Sequence, residues 1–320
     1  MSHRKKDIRK INFIILILVI VLGVIFSDCG SGNGVKGIRL KIKEIPRGEW
    51  VHRVIPLSLV VSSDGRRYAY LAVKESGSPL NDKYVVVVDG VKSKEYDFIE
   101  KGYPVLSPDD SRYAYMGVRD GRYFVVIDGV EYGGYDYTGS IAFSSDSRRY
   151  AYVAVQDDKS FVVLDGVKGK EYDRAGNIVF SPDGRRYAYI AVRGDKYLAV
   201  VDGVEEKEYD VISDIVFSPD GKRYVYTAGR DGKDFIVVDG VEGKEYDWID
   251  ELSLAFSPDG SRYAYRAGRG KNFLVVIEGV EEKEYDGIGE YGVVFSTDSR
   301  RYAYTAERDG KWFVVIDGVE

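Results

Sequence analysis

The sequence reads as an all-β chain: a seven-bladed β-propeller of four-stranded blades, closed by an N-terminal strand. Three observations predict it. A ten-residue motif typified by FSPDGRRYAY, Phe180 to Tyr189, recurs seven times, with its aspartates at Asp64, Asp109, Asp146, Asp183, Asp220, Asp259 and Asp298. Successive copies are thus 37 to 45 residues apart, and a period near 40 in strand-forming sequence marks propeller blades. Gly at 36 and Tyr at 27 of 320 residues suit many short strands joined by tight turns.

The chain opens on a segment unlike the rest. Arg4, Lys5, Lys6, Arg9 and Lys10 precede an apolar run of 14 residues, Phe13 to Phe26. A membrane-spanning helix needs about 20 apolar residues and a signal-peptide core roughly 7 to 15. Residues 1–28 are therefore expected to be a signal peptide or, kept uncleaved, an N-terminal membrane anchor. Cys29, the single cysteine, follows this run and precedes a Gly-, Ser- and Asn-rich stretch at 30–34. That arrangement resembles a bacterial lipoprotein signal, which makes Cys29 the candidate lipidation site, although Asp28 stands where such signals carry a small residue. Residues 29–45 read as a linker and 46–320 as the propeller. Residues 48–52, Gly-Glu-Trp-Val-His, precede the first motif much as Gly-Lys-Glu-Tyr-Asp at 243–247 precedes a later one. They are expected to complete the seventh blade, with Trp50 in the tyrosine role.

Each unit has the same grammar. A short apolar strand ends in Phe-Ser, and Ser-Pro-Asp-Gly supplies a type I turn. Arg-Tyr-Ala-Tyr follows as a second strand with the tyrosines on one face, at the period of two that a pleat requires. Asp-Gly, as at Asp120-Gly121, signals a hairpin into a third strand such as Phe124-Val125-Val126-Ile127, apolar throughout because it is covered on both faces. A second Asp-Gly opens the fourth strand, Lys-Glu-Tyr-Asp, whose charges suit an edge. The motif Arg, Arg186 or Arg223 for example, is expected to brace its turn by pairing with the motif Asp three residues before it.

The FSPDG-x-R-Y core resembles the PD40, or WD40-like, propeller repeats of TolB and its relatives, and the resemblance covers residues 57–320. It implies a propeller in the cell envelope and implies no reaction. That family carries an α/β domain ahead of six blades, whereas here a signal and a linker precede seven units.

Composition narrows function further. The only histidines are His3 and His52, so most catalytic constellations are missing and the expectation is a protein that is not an enzyme. Without residues 1–28 the charge is 41 − 50 = −9. Such a domain lacks the basic stripe that nucleic acid demands, and membrane contact is expected through the N-terminal segment alone. No D-x-D-x-D-G calcium loop occurs, and neither a metal nor another cofactor is expected. The expected function is a non-enzymatic, exported, membrane-anchored scaffold, a monomer binding an envelope protein or glycan. The alternatives are a carboxylate-based glycan-processing enzyme and a purely structural envelope protein. Residues shared by every unit serve the blade, so binding residues belong among the variable ones. Directly after the recurring Tyr-Asp stand Phe98, Tyr137, Arg174, Val211, Trp248 and Gly287. This position is expected in the loop from a fourth strand to the next first strand, at the same end as the second-to-third hairpins and the long loop Lys74 to Lys83. Aromatics and Arg dominate binding hot spots, which makes Phe98, Tyr137, Arg174 and Trp248 the candidate binding residues.

Overall fold

Seven antiparallel sheets follow one another along the described residues of the computed structural model, which are 53–320 apart from 56–57, 77–80, 101–103 and 291. The expected signal, Cys29, the linker and residues 48–52 lie outside them, as does part of the Lys74 to Lys83 loop. In the third sheet Tyr137–Phe143, Tyr150–Gln156, Lys159–Leu164 and Val167–Tyr172 pair in chain order, as do the strands of the fourth and sixth. In the first, second, fifth and seventh the first strand is split into two short pieces that both pair with the second. Among the described residues there is no α-helix. The all-β reading and its four-stranded, blade-like sheets therefore hold.

The turns follow from their residues. In the fourth sheet's motif the Gly184 N–H donates to the Ser181 carbonyl at 2.8 Å, and the Asp183 carboxylate accepts from the Ser181 hydroxyl and the Arg185 N–H at 2.6 and 3.1 Å. Asp202 and Gly203, at φ 51° and 83°, form the tight hairpin turn that needs left-handed backbone at both central positions. The expected Arg brace takes a different partner. Arg186 donates its Nε to Asp202 at 2.8 Å, sixteen residues on, because Asp183 is already satisfied by its own turn.

The described chain divides into two compact units between Lys94 and Glu95. The first holds one sheet, whose Tyr70, Ala72, Val85 and Val87 form a small core. In the second unit six sheets stack face to face, and each core cluster joins two consecutive sheets. Met116, Val125 and Ile127 of the second sheet meet Tyr150, Tyr152 and Phe161 of the third; the same pattern recurs at each later junction. The tyrosine face of one sheet thus covers the Val/Ile face of the sheet before it. In the seventh sheet, no strand beyond Lys311–Ile316 occurs among the described residues.

The first sheet begins with Arg53–Val54, and Arg53 pairs with Val73 as Tyr137 pairs with Val155. Counting back from that register, Val51 rather than Trp50 matches Tyr135 in sequence. Trp50 and Val51 both lie outside the described residues, so the expected alignment is not tested there.

Candidate partner-binding face

The connection from a fourth strand to the next first strand is immediate. The Asp136 N–H donates to the Val155 carbonyl at 3.0 Å, and Tyr137 already pairs with Val155, one residue from the Gln156 to Lys159 hairpin. The two connections therefore share one end of each sheet, as expected. The aspartate there joins neighbouring sheets. Asp173 accepts from the Gly194 N–H of the next sheet and from Lys159 Nζ of its own, both at 2.7 Å. Lys159, and after it the Gly194 N–H, holds the Asp173 carboxyl below its usual range. Asp97, Asp136, Asp210, Asp247 and Asp286 take the same backbone donor. Among the described residues no three His, Cys, Asp or Glu side chains are grouped to hold a metal ion.

The four candidate binding residues stand at this end, one each on the second, third, fourth and sixth sheets. They are not loop residues. Each is the first residue of a first strand, at Phe98–Ile99, Tyr137–Phe143, Arg174–Phe180 and Trp248–Phe256, because the Tyr-Asp before it has already made the turn. Phe98 and Tyr137 are 40% and 48% exposed, and Arg174 is exposed as well. The Tyr137 ring packs edge-on against Tyr123 of the preceding sheet, centroids 5.2 Å apart. Trp248 is half-buried. Its indole lies on Gly268, where an added Cβ would fall 2.0 Å from Cε2, and edge-on to Phe273 at 5.2 Å.

Other notable residues were hidden in the sequence. Trp312, 56% exposed, shares a register position with Tyr123 and Phe273 and so looked like one member of a shared aromatic column. Arg266 takes the position of Met116, Val153 and Ile190. It pairs with Asp250 at 2.5 Å and donates Nη1 to the Ile288 carbonyl of the next sheet at 3.0 Å. A charge in an otherwise mostly apolar column was the available signal.

The opposite end is braced. Arg186 donates Nη1 to the Lys222 carbonyl of the next sheet's turn at 2.6 Å and lies 5.3 Å from the Tyr224 ring centroid. Arg112, Arg149, Arg223 and Arg262 repeat the link, with Tyr150, Tyr187, Tyr263 and Tyr302 beneath their guanidinium groups. These five motif arginines thus tie their own hairpins to the following sheet.

No family model and no curated protein matches the chain. Among solved structures it is similar to TolB from Acinetobacter baumannii, at 16% identity over 79% of this chain and 66% of that one, TM-score 0.31. It is also similar to the β-propeller domain of the Trilobed protease from Pyrococcus furiosus, at 15% identity over 82% and 94%, TM-score 0.37. A third is an acylaminoacyl peptidase from Pyrococcus horikoshii, at 14% identity over 79% and 51%, TM-score 0.32. The chain spans 66% of the TolB chain's length. The blade-like antiparallel sheets described above are consistent with a β-propeller. One expectation is corrected. The sequence suggested a protein that is not an enzyme, but the similar structures include enzymes, the peptidase among them, beside an initiation factor. The propeller fold hosts both kinds of protein, so the absence of catalysis is withdrawn as a conclusion.

Proposed function

We propose that the chain is an exported, membrane-anchored propeller that serves as a protein- or ligand-binding scaffold in the cell envelope. Its seven sheets are the blades, and residues 48–52 supply the strand that completes the seventh. The observation that carries the binding role is a contrast between positions. The second tyrosine of each Tyr-x-Tyr pair and most third-strand β-branched residues are buried, whereas the residue opening each first strand varies freely, and Phe98, Tyr137 and Arg174 are exposed. Variation at exposed positions on a rigid frame is how repeat proteins acquire partners.

The partner on this reading is an envelope protein or glycan, and the anchor is the N-terminal segment, through Cys29 or an uncleaved apolar run. The test captures partners from envelope fractions and on a glycan array, using the full chain, its Cys29→Ala variant and the Phe98→Ala/Tyr137→Ala double variant. A specific partner that the double variant fails to retain supports the face. Equal capture by the double variant overturns it, and unchanged membrane fractionation of Cys29→Ala overturns lipidation.

A further inference from the structure

The fourth-strand edges of consecutive sheets are joined by one repeated arrangement. Tyr172 donates its hydroxyl to Glu205 of the next sheet at 2.8 Å. Arg193 and Lys170 hold the same carboxylate, each at 2.6 Å, and the Arg193 guanidinium lies 5.7 Å from the Tyr172 ring centroid. Tyr96 with Glu131 and Arg119 repeats it, as do Tyr209 with Glu242 and Arg230, Tyr246 with Glu281 and Arg269, and Tyr285 with Glu320 and Arg308. These five tyrosines are 1–3% exposed.

The junction between the second and third sheets differs in composition. Tyr135 holds the tyrosine position. Lys168, paired with Val163 as Glu131 is with Val126, stands at the glutamate position, and Gln156, paired with Lys159 as Arg119 is with Arg122, stands at the arginine position. Gly133 replaces the lysine. The Tyr135 hydroxyl meets that of Tyr152 at 3.1 Å, and Lys168 Nζ lies 4.1 Å from the centroid of Phe161, the ring against which Tyr135 packs. Tyr135 is only half-buried. Lys168 thus starts from the glutamate's own position, and its ammonium and the Tyr135 ring both meet Phe161, with no glutamate beside the phenol among the described residues. Glu171, 2.6 Å from Lys168 Nζ, does not substitute for it, because its counterpart Glu208 binds Arg193 alongside Glu205.

We propose that this junction binds a carboxylate of an acidic peptide segment, seated between Tyr135 and Lys168 as Glu205 is seated between Tyr172 and Arg193. Charge-assisted hydrogen bonds from an ammonium and a phenol suit a carboxylate. The occupant is a peptide because the neighbouring edge strand carries Gly133 and Gly134, and the pairing of Val130–Tyr135 shifts there. Extended backbone can approach such a bare edge closely. The proposal rests on the composition of this junction and does not depend on the reading of the face above.

The test is fluorescence anisotropy of a labelled decaglutamate peptide with the full chain, with decaglutamine and oligogalacturonate as comparators. Saturable, salt-weakened binding is expected. Lys168→Glu with Gln156→Arg, which restores the composition of the other junctions, should weaken it at least about tenfold without lowering thermal stability. Glu205→Lys with Arg193→Gln, which moves the odd composition to the next junction, should add a second site. Undiminished binding to the restored variant, equal binding of decaglutamine, or preference for oligogalacturonate overturns the proposal.

Discussion

Asp183 and Arg186 lie three residues apart in one turn and hold different partners. The aspartate closes its own turn, while the arginine reaches Asp202 and the Lys222 carbonyl of the next sheet. Arg186→Ala removes an ion pair, a hydrogen bond and a ring contact at once and should cost about 1 to 3 kcal/mol by denaturant titration. Arg186→Lys keeps the charge without the planar fork and should recover less than half of that loss. The motif carboxylates also set an acid limit. The Ser218 hydroxyl, and after it the Lys222 N–H, lowers Asp220 to about 2, and Asp64, Asp146, Asp183 and Asp298 are lowered by the same kinds of donor. An aspartate depressed in the folded state stabilises it above the unfolded value, about 3.9, and that stabilisation is lost as pH falls through the folded value. Burial, foremost, raises Tyr209 and Tyr246 to about 12. Their contribution is present below the ordinary tyrosine value of about 10 and is lost as pH rises towards 12. The melting temperature should therefore fall between about pH 4 and 2 and again between about pH 10 and 12. A fall beginning near pH 6 would contradict the assignment.

At the scale of a strand, Gly268 shows how one residue places another. Its missing Cβ lets the Trp248 indole lie on the neighbouring strand. Gly268→Ala should drive the indole out, cost about 1 to 3 kcal/mol as other overpacked sites do, and shift tryptophan emission to the red. Unchanged emission would mean that the indole is not seated there. The alternation of Tyr and Ala made Tyr187–Arg193 legible in the sequence, and the paired Asp-Gly signals bounded the third strands. The first strands were harder to read. Trp248–Phe256 shifts register between Asp250 and Ala255, and Ser140 and Asn177 adopt positive φ. Neither residue type announces a bulge, and the zero-length connection made strand residues look like loop.

At the scale of the whole chain, the links between sheets escaped the sequence because their partners lie 33 to 38 residues apart, as in Tyr172 with Glu205 and Arg223 with Ser261. Only face-to-face stacking brings them together. The repeated position was visible, and its partner in the next repeat was not. The same reasoning applies to closure. Deleting residues 35–55 should cause aggregation or a large drop in melting temperature, since an unpaired apolar edge seeks another strand; a truncated chain that melts like the parent would show that this segment completes no blade.

The central claim is that shared residues build the frame while the residues opening the first strands meet the partner. A binding titration run beside thermal melts tests it most directly, once a partner is in hand. Phe98→Ala with Tyr137→Ala should weaken affinity by about 1 to 4 kcal/mol with little change in melting temperature. Trp248→Ala should lower affinity and also some stability, because its indole packs on Gly268 and Phe273. Asp183→Ala, at the opposite end, should lower the melting temperature and leave the affinity of the folded protein unchanged. The reverse pattern, with affinity lost through the turn and stability through the aromatics, would contradict the account.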